Sequence, residues 1–241
     1  MELPLPLSLV DFQGDAFRNI VSLRVSEDLF DDLSDDPNDW KTAQTTEAAA
    51  TPPAYRSATP TIDRPFEEAE FVTAIGYPFA QPNWSRSRFS DGSFGVWYGS
   101  LAAETTVYET AYHWANGLLA DAGLVRDGMS IERKVYLVRC EAALVDLRAA
   151  FAANASLRSS RDYASCQAIG RRLHREGHPG LVTRSVRHDK GENLAVLRPS
   201  VLSSARMQCY LTYRLVDDEI HVERQVGVPW LRMSVRQISP A

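Results

Sequence analysis

The sequence predicts a mixed α+β domain in which strands outnumber helices in the second half of the chain. Three observations favour this class: a strand that feeds directly into a helix over residues 94–123, an amphipathic helix at 162–177, and a hairpin at 207–225. The 241 residues are 44% hydrophobic and 24% charged, a composition typical of globular proteins. A chain of this length can bury a sizeable core.

The first third of the chain carries weaker signals. Residues 8–25 mix strand and helix patterns, and residues 26–40 are acidic with a few apolar side chains. We interpret the acidic segment as the solvated face of a helix, and a docking surface for a basic partner is the alternative. Prolines exclude long helices from residues 59–86. We expect residues 1–55 to be an N-terminal extension packed on a core formed by residues 56–241.

Regular elements follow one another after residue 93. Residues 94–100 read as a strand and residues 102–123 as a helix that a glycine ends. The predicted buried stripe of this helix is Leu101, Thr105, Tyr108 and Tyr112. The later elements, in chain order, are one or two strands at 134–147, a helix at 162–177 ended by Gly177, strands at 180–186 and 193–199, and a hairpin that turns at Asp217–Asp218.

Charge and cysteine content exclude several classes of protein. A net charge of −5 argues against broad binding to nucleic acid or to an anionic membrane. Cys140, Cys166 and Cys209 are far apart and odd in number, so we expect reduced thiols rather than a disulfide framework or a zinc site. The N-terminus has no positively charged region, and no apolar run approaches the roughly 20 residues of a membrane helix. These features predict a cytoplasmic protein.

Arg88, Tyr98 and Glu109 are spaced about ten residues apart across a turn, a strand and a helix. In a strand Tyr98 and Trp97 point to opposite faces, so one face can join the other two side chains in a cleft. A guanidinium suits a pyrophosphate, an aromatic ring suits a planar base, and a carboxylate can stabilise positive charge on a ribose. Those groups fit a dinucleotide. The ordinary alternative is a turn–strand–helix packing unit without a ligand.

The stretch "SRFSDGSFGVWYGSLAAETTVYETAYHW", residues 87–114, closely resembles the core of the RES domain family, which is named for its Arg, Glu and Ser. Downstream, "HPGLVTRSVRHDKGENLAVLRP", residues 178–199, resembles the family segment that supplies the serine. The two motifs occur in the family's order, and the resemblance covers roughly residues 55–215. The segment "TPPAYRSATPTIDRPF" looks like that of the longer RES subgroup.

The resemblance implies a fold similar to ADP-ribosylating toxins, with a mixed β-sheet core and flanking helices around a cleft that binds NAD. Many RES proteins are toxins of bacterial toxin–antitoxin modules. Their partner is an Xre-type helix-turn-helix antitoxin that blocks the cleft. They degrade NAD by phosphorolysis or hydrolysis, so inorganic phosphate is a possible co-substrate, and no metal is implied. Some members transfer ADP-ribose to a protein.

Carried over by position, the resemblance gives roles to four residues. Arg88 would hold the pyrophosphate, and Tyr98 would pack on the nicotinamide or its ribose. Glu109 would bind ribose hydroxyls and stabilise the oxocarbenium-like transition state. Ser185 would contact the nicotinamide or a phosphate. The family often has "YPS" where this chain has "TRS", so Ser185 lacks an aromatic neighbour found in other members.

Other residues are weaker candidates for the same pocket. An upstream arginine contributes in the family, and here we prefer Arg64 to Arg56. Arg187 and Asn193 stand in or beside the serine segment and would either bind the ligand or close the turn. His113 follows Glu109 by one helical turn. It fits a hydrogen-bonded or supporting histidine better than a metal ligand, because no third ligand stands nearby.

Three functions remain open from the sequence. The first is an enzyme that cleaves the nicotinamide–ribose bond of NAD, by phosphorolysis or hydrolysis. The second is a protein ADP-ribosyltransferase that shares the first step. The third is a non-catalytic protein-binding module in which the acidic segment is the partner surface.

Overall fold

The computed structural model describes residues 7–21, 72–116, 128–225 and 227–238. All of them belong to one of the two units into which the chain divides, that of residues 1–22 and 66–241. The acidic segment, Arg56 and Arg64 lie outside the described residues, so the predictions made for them stay predictions. The same holds for the domain boundary expected at residue 55.

Eight strands of the described ranges form one mixed sheet. The strands are β1 (Leu9–Val21), β2 (Trp97–Ser100), β3 (Ser130–Asp146), β4 (Gly180–Arg184), β5 (Glu192–Val196), β6 (Leu202–Val216), β7 (Glu219–Gln225) and β8 (Val228–Ser234). The α-helices are α1 (Ala103–Asn116), α2 (Arg148–Ala153), α3 (Ala164–Glu176) and α4 (Val235–Ile238), and short 3₁₀ or π turns occur elsewhere in the described ranges. The predicted α+β class is therefore confirmed. None of the helices in these ranges is both long and apolar enough to cross a membrane.

The sheet closes partly on itself. The strand order is β1-β2-β5-β4-β3-β6-β7-β8, and β1 also pairs with β3. Strands β3 and β4 run parallel, whereas the other neighbours are antiparallel. The first five strands in this order therefore form a ring, and β6, β7 and β8 extend it from β3. Strand β1 is integral to the ring, since all 13 of its residues pair with β3.

Side chains from all five strands of the ring meet in one buried cluster. One residue from each strand illustrates it: Ala16, Trp97, Val138, Val182 and Leu194. Trp97 is fully buried, and its indole N–H donates to the backbone oxygen of Ala74 at 2.7 Å. Because a buried tryptophan N–H needs an acceptor, this bond ties the segment before β2 to the core.

The opposite face of β2, β3, β4 and β5 packs on α2 and α3. Phe94, Val96 and Tyr98 lie in or against this second cluster, whereas Trp97 lies in the first. The alternation predicted for residues 94–98 is therefore confirmed, although the strand itself begins only at Trp97. Because Tyr98 faces away from the ring's core, it reaches the loop that carries Arg88.

Helix α1 buries the predicted stripe in part, since Thr105 and Tyr112 are buried, and it buries a second stripe as well. Its contact with β3, β6 and β7 is made by residues at i, i+4 and i+7: Val107, Ala111 and Trp114. The two tyrosines of the predicted stripe contact the segment after β4 instead. Tyr108 stacks on His188, and Tyr112 lies under the guanidinium of Arg187. The sequence prediction assumed one apolar face, but α1 has neighbours on two sides.

Two predicted stop signals are confirmed. Gly177 follows α3 with a φ of 81°, a left-handed conformation that glycine adopts without steric cost. The β6–β7 hairpin turns at Asp217 and Asp218, whose φ angles are 49° and 64°. Two consecutive positive φ angles are the mark of the type I′ turn, whose twist matches that of the flanking strands.

Lys190 gives a stability prediction. It stands in the β4–β5 turn with a φ of 61°, where an L residue with a Cβ is strained. Lys190→Gly is expected to raise the free energy of unfolding by about 0.5–1 kcal/mol, the strain relieved less the backbone entropy that glycine loses. Urea unfolding measures this. Lys190→Ala keeps the Cβ, so an equal gain there would contradict the explanation.

Candidate active site

A cavity of about 320 Å³ opens between the ring, α1 and the loop that precedes β2. This volume lies at the lower end of the range of small-molecule pockets, roughly 300–1,000 Å³. Its lining is strongly basic. Five arginines line it, Arg18, Arg86, Arg88, Arg184 and Arg187, against a single carboxylate among the described residues, Glu109. In a chain of net charge −5, such a concentration of positive charge favours an anionic ligand.

The Glu109 carboxylate is held by two hydrogen-bond donors and one ion pair. Its Oε1 accepts from Ser185 Oγ and from Asn193 Nδ2, each at 2.7 Å. Its Oε2 lies 3.4 Å from Nη1 of Arg187. The Glu109 side chain keeps 21% of its surface exposed to the cavity. The carboxylate is therefore fixed in direction yet still accessible to a ligand.

The Ser185 hydroxyl is saturated by the protein. It accepts the backbone N–H of Arg187 at 3.1 Å and that of His188 at 3.0 Å, and it donates to Glu109. A hydroxyl has one proton and two lone pairs, and all three are used here. Ser185 thus orients Glu109 in this arrangement, whereas the sequence resemblance gave it a contact with the ligand.

Arg187 links Glu109 to the far wall of the cavity. Its side chain is only 6% exposed, and its Cζ lies 3.8 Å from the centre of the Tyr112 ring. Its Nη2 donates to the Tyr163 hydroxyl at 2.9 Å and reaches the Ser160 carbonyl at 3.4 Å. Asn193, the other candidate of this segment, donates an N–H of its side-chain amide to Glu109. Both residues therefore support the carboxylate.

The guanidinium of Arg88 is hydrogen-bonded through Nη1, whereas its Nη2 has no hydrogen-bond partner among the described residues. Its Nη1 donates to the carbonyls of Leu157, at 3.2 Å, and Ser159, at 2.9 Å. Its Cζ lies 4.5 Å from the centre of the Tyr163 ring. The loop sits directly on α3, since a Cβ added to Gly170 would come within 1.8 Å of the Phe89 carbonyl oxygen. Close packing of the loop backbone on α3 therefore fixes the position of Arg88 in the cavity wall.

The Tyr98 hydroxyl holds this loop from below. It accepts the backbone N–H of Phe89 at 3.0 Å and shares a hydrogen bond of 2.8 Å with Ser87 Oγ. Loss of solvent around the phenol raises the pKa of Tyr98 to about 12. Tyr98 therefore stays neutral at physiological pH. Its hydroxyl fixes the loop that carries Arg88 by hydrogen bonds, and its side chain also lines the cavity.

Tyr98→Phe is expected to lower the free energy of unfolding by about 1–2 kcal/mol, because the buried N–H of Phe89 loses its acceptor. The Arg88 loop loosens at the same time, so ligand affinity should fall with stability. Urea unfolding measures the first effect. Tyr77→Phe is the matched control, because Tyr77 is 60% exposed and should tolerate the change. Equal stability of the two variants would contradict this role of Tyr98.

Arg18 is one of the cavity residues that the sequence analysis missed. It lies on β1, where Phe17 pairs with Ser100 of β2, and its Nη1 donates to the Tyr98 carbonyl at 2.8 Å. Loss of solvent around the guanidinium lowers the pKa of Arg18 to about 10, and the positive charge of Arg133 adds to the effect. A signal existed in "DAFRNIV", an arginine on the same strand face as Ala16 and Ile20.

Unpartnered donors accumulate at the cavity. In the described part of the chain, four buried side-chain nitrogens have no hydrogen-bond partner: Arg18 Nε, Arg88 Nη2, Arg187 Nε and Arg206 Nε. Three of them belong to arginines that line this cavity. Buried donors without acceptors are rare and costly, so their concentration here points to a ligand rich in anionic oxygens.

The remaining predictions concern metal binding and His113. No group of three or more His, Cys, Asp or Glu side chains that could hold a metal ion occurs within the described ranges. His113 lines the cavity, and its ring meets the edge of Tyr112 at a centroid distance of 5.5 Å.

The cavity brings together three of the predicted site residues, Arg88, Tyr98 and Glu109, and the fourth, Ser185, is hydrogen-bonded to Glu109.

Comparison with known proteins agrees with the sequence motifs. The family model described as "RES domain" matches residues 62–216, well over half of the chain. No curated protein matches. A chain in the crystal structure of the M. tuberculosis MbcT–MbcA toxin–antitoxin complex is similar at 11% identity with a TM-score of 0.45, over 85% of this chain and 86% of that chain. By the match to its family model, this protein belongs to the RES domain family.

Proposed function

We propose that this protein cleaves the bond between nicotinamide and ribose in NAD, by phosphorolysis or hydrolysis, and acts as the toxin of a toxin–antitoxin pair. The observation that carries the proposal is the Glu109 carboxylate. It is fixed by two hydrogen bonds and an ion pair, and it is exposed to a cavity whose arginines have unpartnered N–H groups. Membership of the RES family supports the choice of NAD among anionic ligands.

The arginines would bind the dinucleotide through its pyrophosphate. Arg88 and Arg18 approach the cavity from different elements, and each has a free donor. Guanidinium groups match phosphate oxygens in geometry as well as charge. A pyrophosphate bound beside these guanidinium groups would compensate their buried positive charge. Its place there would leave the rest of NAD to reach toward Glu109.

Glu109 would supply the catalytic electrostatics. When the glycosidic bond breaks, the bonding electrons leave with nicotinamide, which departs neutral, and positive charge develops on the ribose. A preorganised carboxylate stabilises that charge without having to reorient. The ribosyl cation is then captured by a phosphate oxygen, or by water with loss of a proton. Ser185 and Asn193 would hold the carboxylate in this orientation throughout.

The partner proposed for this toxin is an Xre-type helix-turn-helix antitoxin. The support is the family resemblance together with the cavity itself. A protein that covers the mouth, where exposed Arg86 and Arg184 stand, would exclude the dinucleotide. Co-expression of a cognate antitoxin should therefore suppress NAD loss in cells.

Incubation of the purified protein with NAD tests the proposal. Chromatography should show free nicotinamide together with ADP-ribose in phosphate-free buffer, or ADP-ribose 1″-phosphate when phosphate is present. Transfer of label from NAD to a protein band would favour the ADP-ribosyltransferase. Absence of nicotinamide in every buffer, with protein acceptors added, would reject cleavage of NAD.

A further inference from the structure

A chain of three side chains leads from strand β2 to the Glu109 carboxylate. Ser100 Oγ donates to Asn193 Oδ1 at 2.6 Å, and Asn193 Nδ2 donates to Glu109 Oε1 at 2.7 Å. Chemistry fixes both directions. An ionised carboxylate only accepts, so the amide N–H must face Glu109, and the amide oxygen is left for the proton of Ser100.

The backbone places these partners together. Ser100 is the last residue of β2, and Asn193 is its Cα partner on β5. Residues directly opposite each other on antiparallel strands project to the same face. Ser100 is 3% exposed, so a water molecule has little room to take the place of its hydroxyl. The register of β2 and β5 therefore places Ser100 and Asn193 side by side.

We propose that Ser100 is a positioning residue that holds Glu109 for catalysis through Asn193, an inference that rests on the proposed function. The terminal torsion of a glutamate is broad, so donors decide where its carboxylate points. Asn193 and Ser185 converge on Oε1. Without Ser100 the Asn193 amide loses the partner that fixes its rotation, and Oε1 keeps one firm donor.

The expected consequence concerns turnover more than binding. The orientation of Glu109 matters when charge develops on the ribose, whereas substrate binding depends mainly on the arginines at the phosphates. Ser100→Ala should therefore lower kcat about tenfold, the order of one hydrogen bond, and leave KM for NAD within about twofold.

A double-mutant cycle separates this role from a direct contact, because Ser100 also lies in the cavity wall. If Ser100 acts through Asn193, Ser100→Ala should cause no further loss of kcat in the Asn193→Ala background. Independent, multiplicative losses would overturn the proposal. Should Ser100→Ala fail to fold, Ser100→Cys keeps a similar volume with a weak donor and takes its place in the cycle.

A second readout needs no turnover. The side-chain amide of Asn193, identified in NMR spectra by its loss in Asn193→Asp, should shift and exchange faster with solvent in Ser100→Ala. An unchanged Asn193 amide would overturn the positioning role even if the protein proved not to cleave NAD. Conversely, a protein that cleaves NAD with full kcat in Ser100→Ala would keep the proposed function and lose this inference alone.

Discussion

Glu109→Gln is expected to reduce NAD cleavage by about a thousandfold, the order lost when a single preorganised electrostatic group is removed from an active site. Glutamine keeps the size of the side chain and one oxygen for Ser185 and Asn193, but it cannot balance the positive charge that develops on the ribose. Nicotinamide release from NAD measures the loss. KM should change little, because the arginines that would bind the phosphates are untouched.

The same substitution has a cost in stability. Arg187 is 6% exposed and would lose its ion pair with Glu109, so we expect the free energy of unfolding to fall by about 1–3 kcal/mol. Glu104→Gln is the matched control, since Glu104 stands on the same helix with an exposed side chain. A Glu109→Gln variant with normal turnover would refute the mechanism, and a Glu104→Gln variant with equal loss would show that the effect is not specific.

Arg18→Met is expected to have effects of opposite sign on binding and stability. Arg18 carries an unpartnered Nε and has the positive charge of Arg133 nearby. Replacing a poorly compensated charge by an apolar side chain of similar length is neutral or stabilising in many proteins. We expect the free energy of unfolding to stay equal or rise by about 1 kcal/mol, while KM for NAD rises at least about tenfold, as loss of one charged hydrogen bond implies.

Arg206→Met gives the matched control. Arg206 also has an unpartnered Nε, but it pairs with Asp15 at 3.0 Å and does not line the cavity. Its replacement should lower stability slightly and leave KM unchanged. If Arg18→Met destabilised the fold and left KM unchanged, Arg18 would be a structural residue rather than part of the ligand site.

Local chemistry explains what the sequence predicted well. The alternation of Trp97 and Tyr98 follows from strand geometry, so the face that carries Tyr98 was predictable. The turn at Asp217–Asp218 and the helix end at Gly177 depend on residues that tolerate positive φ. The placement of Arg88 and Glu109 in one cavity followed from the family motif, because residue spacing alone favoured an ordinary packing unit without a ligand.

Long-range pairing explains what the sequence did not reveal. Arg18 reaches the cavity only because β1 closes the ring against β3, a partner more than a hundred residues away. Saturation of Ser185 depends on the turn that follows it, and the link from Ser100 to Asn193 depends on the register of two strands. These arrangements are properties of the assembled sheet. The alternation within β1 places Arg18 on a strand face, but the pairing of distant strands decides what lies beside it.

The most direct test of this account is a crystal structure of the Glu109→Gln variant with NAD, which should bind the dinucleotide without cleaving it. We expect the pyrophosphate oxygens to lie within hydrogen-bond distance of Arg88 and Arg18, with the nicotinamide ribose beside the side chain at position 109. NAD bound outside the cavity, or with its adenine end at position 109, would contradict the proposed function.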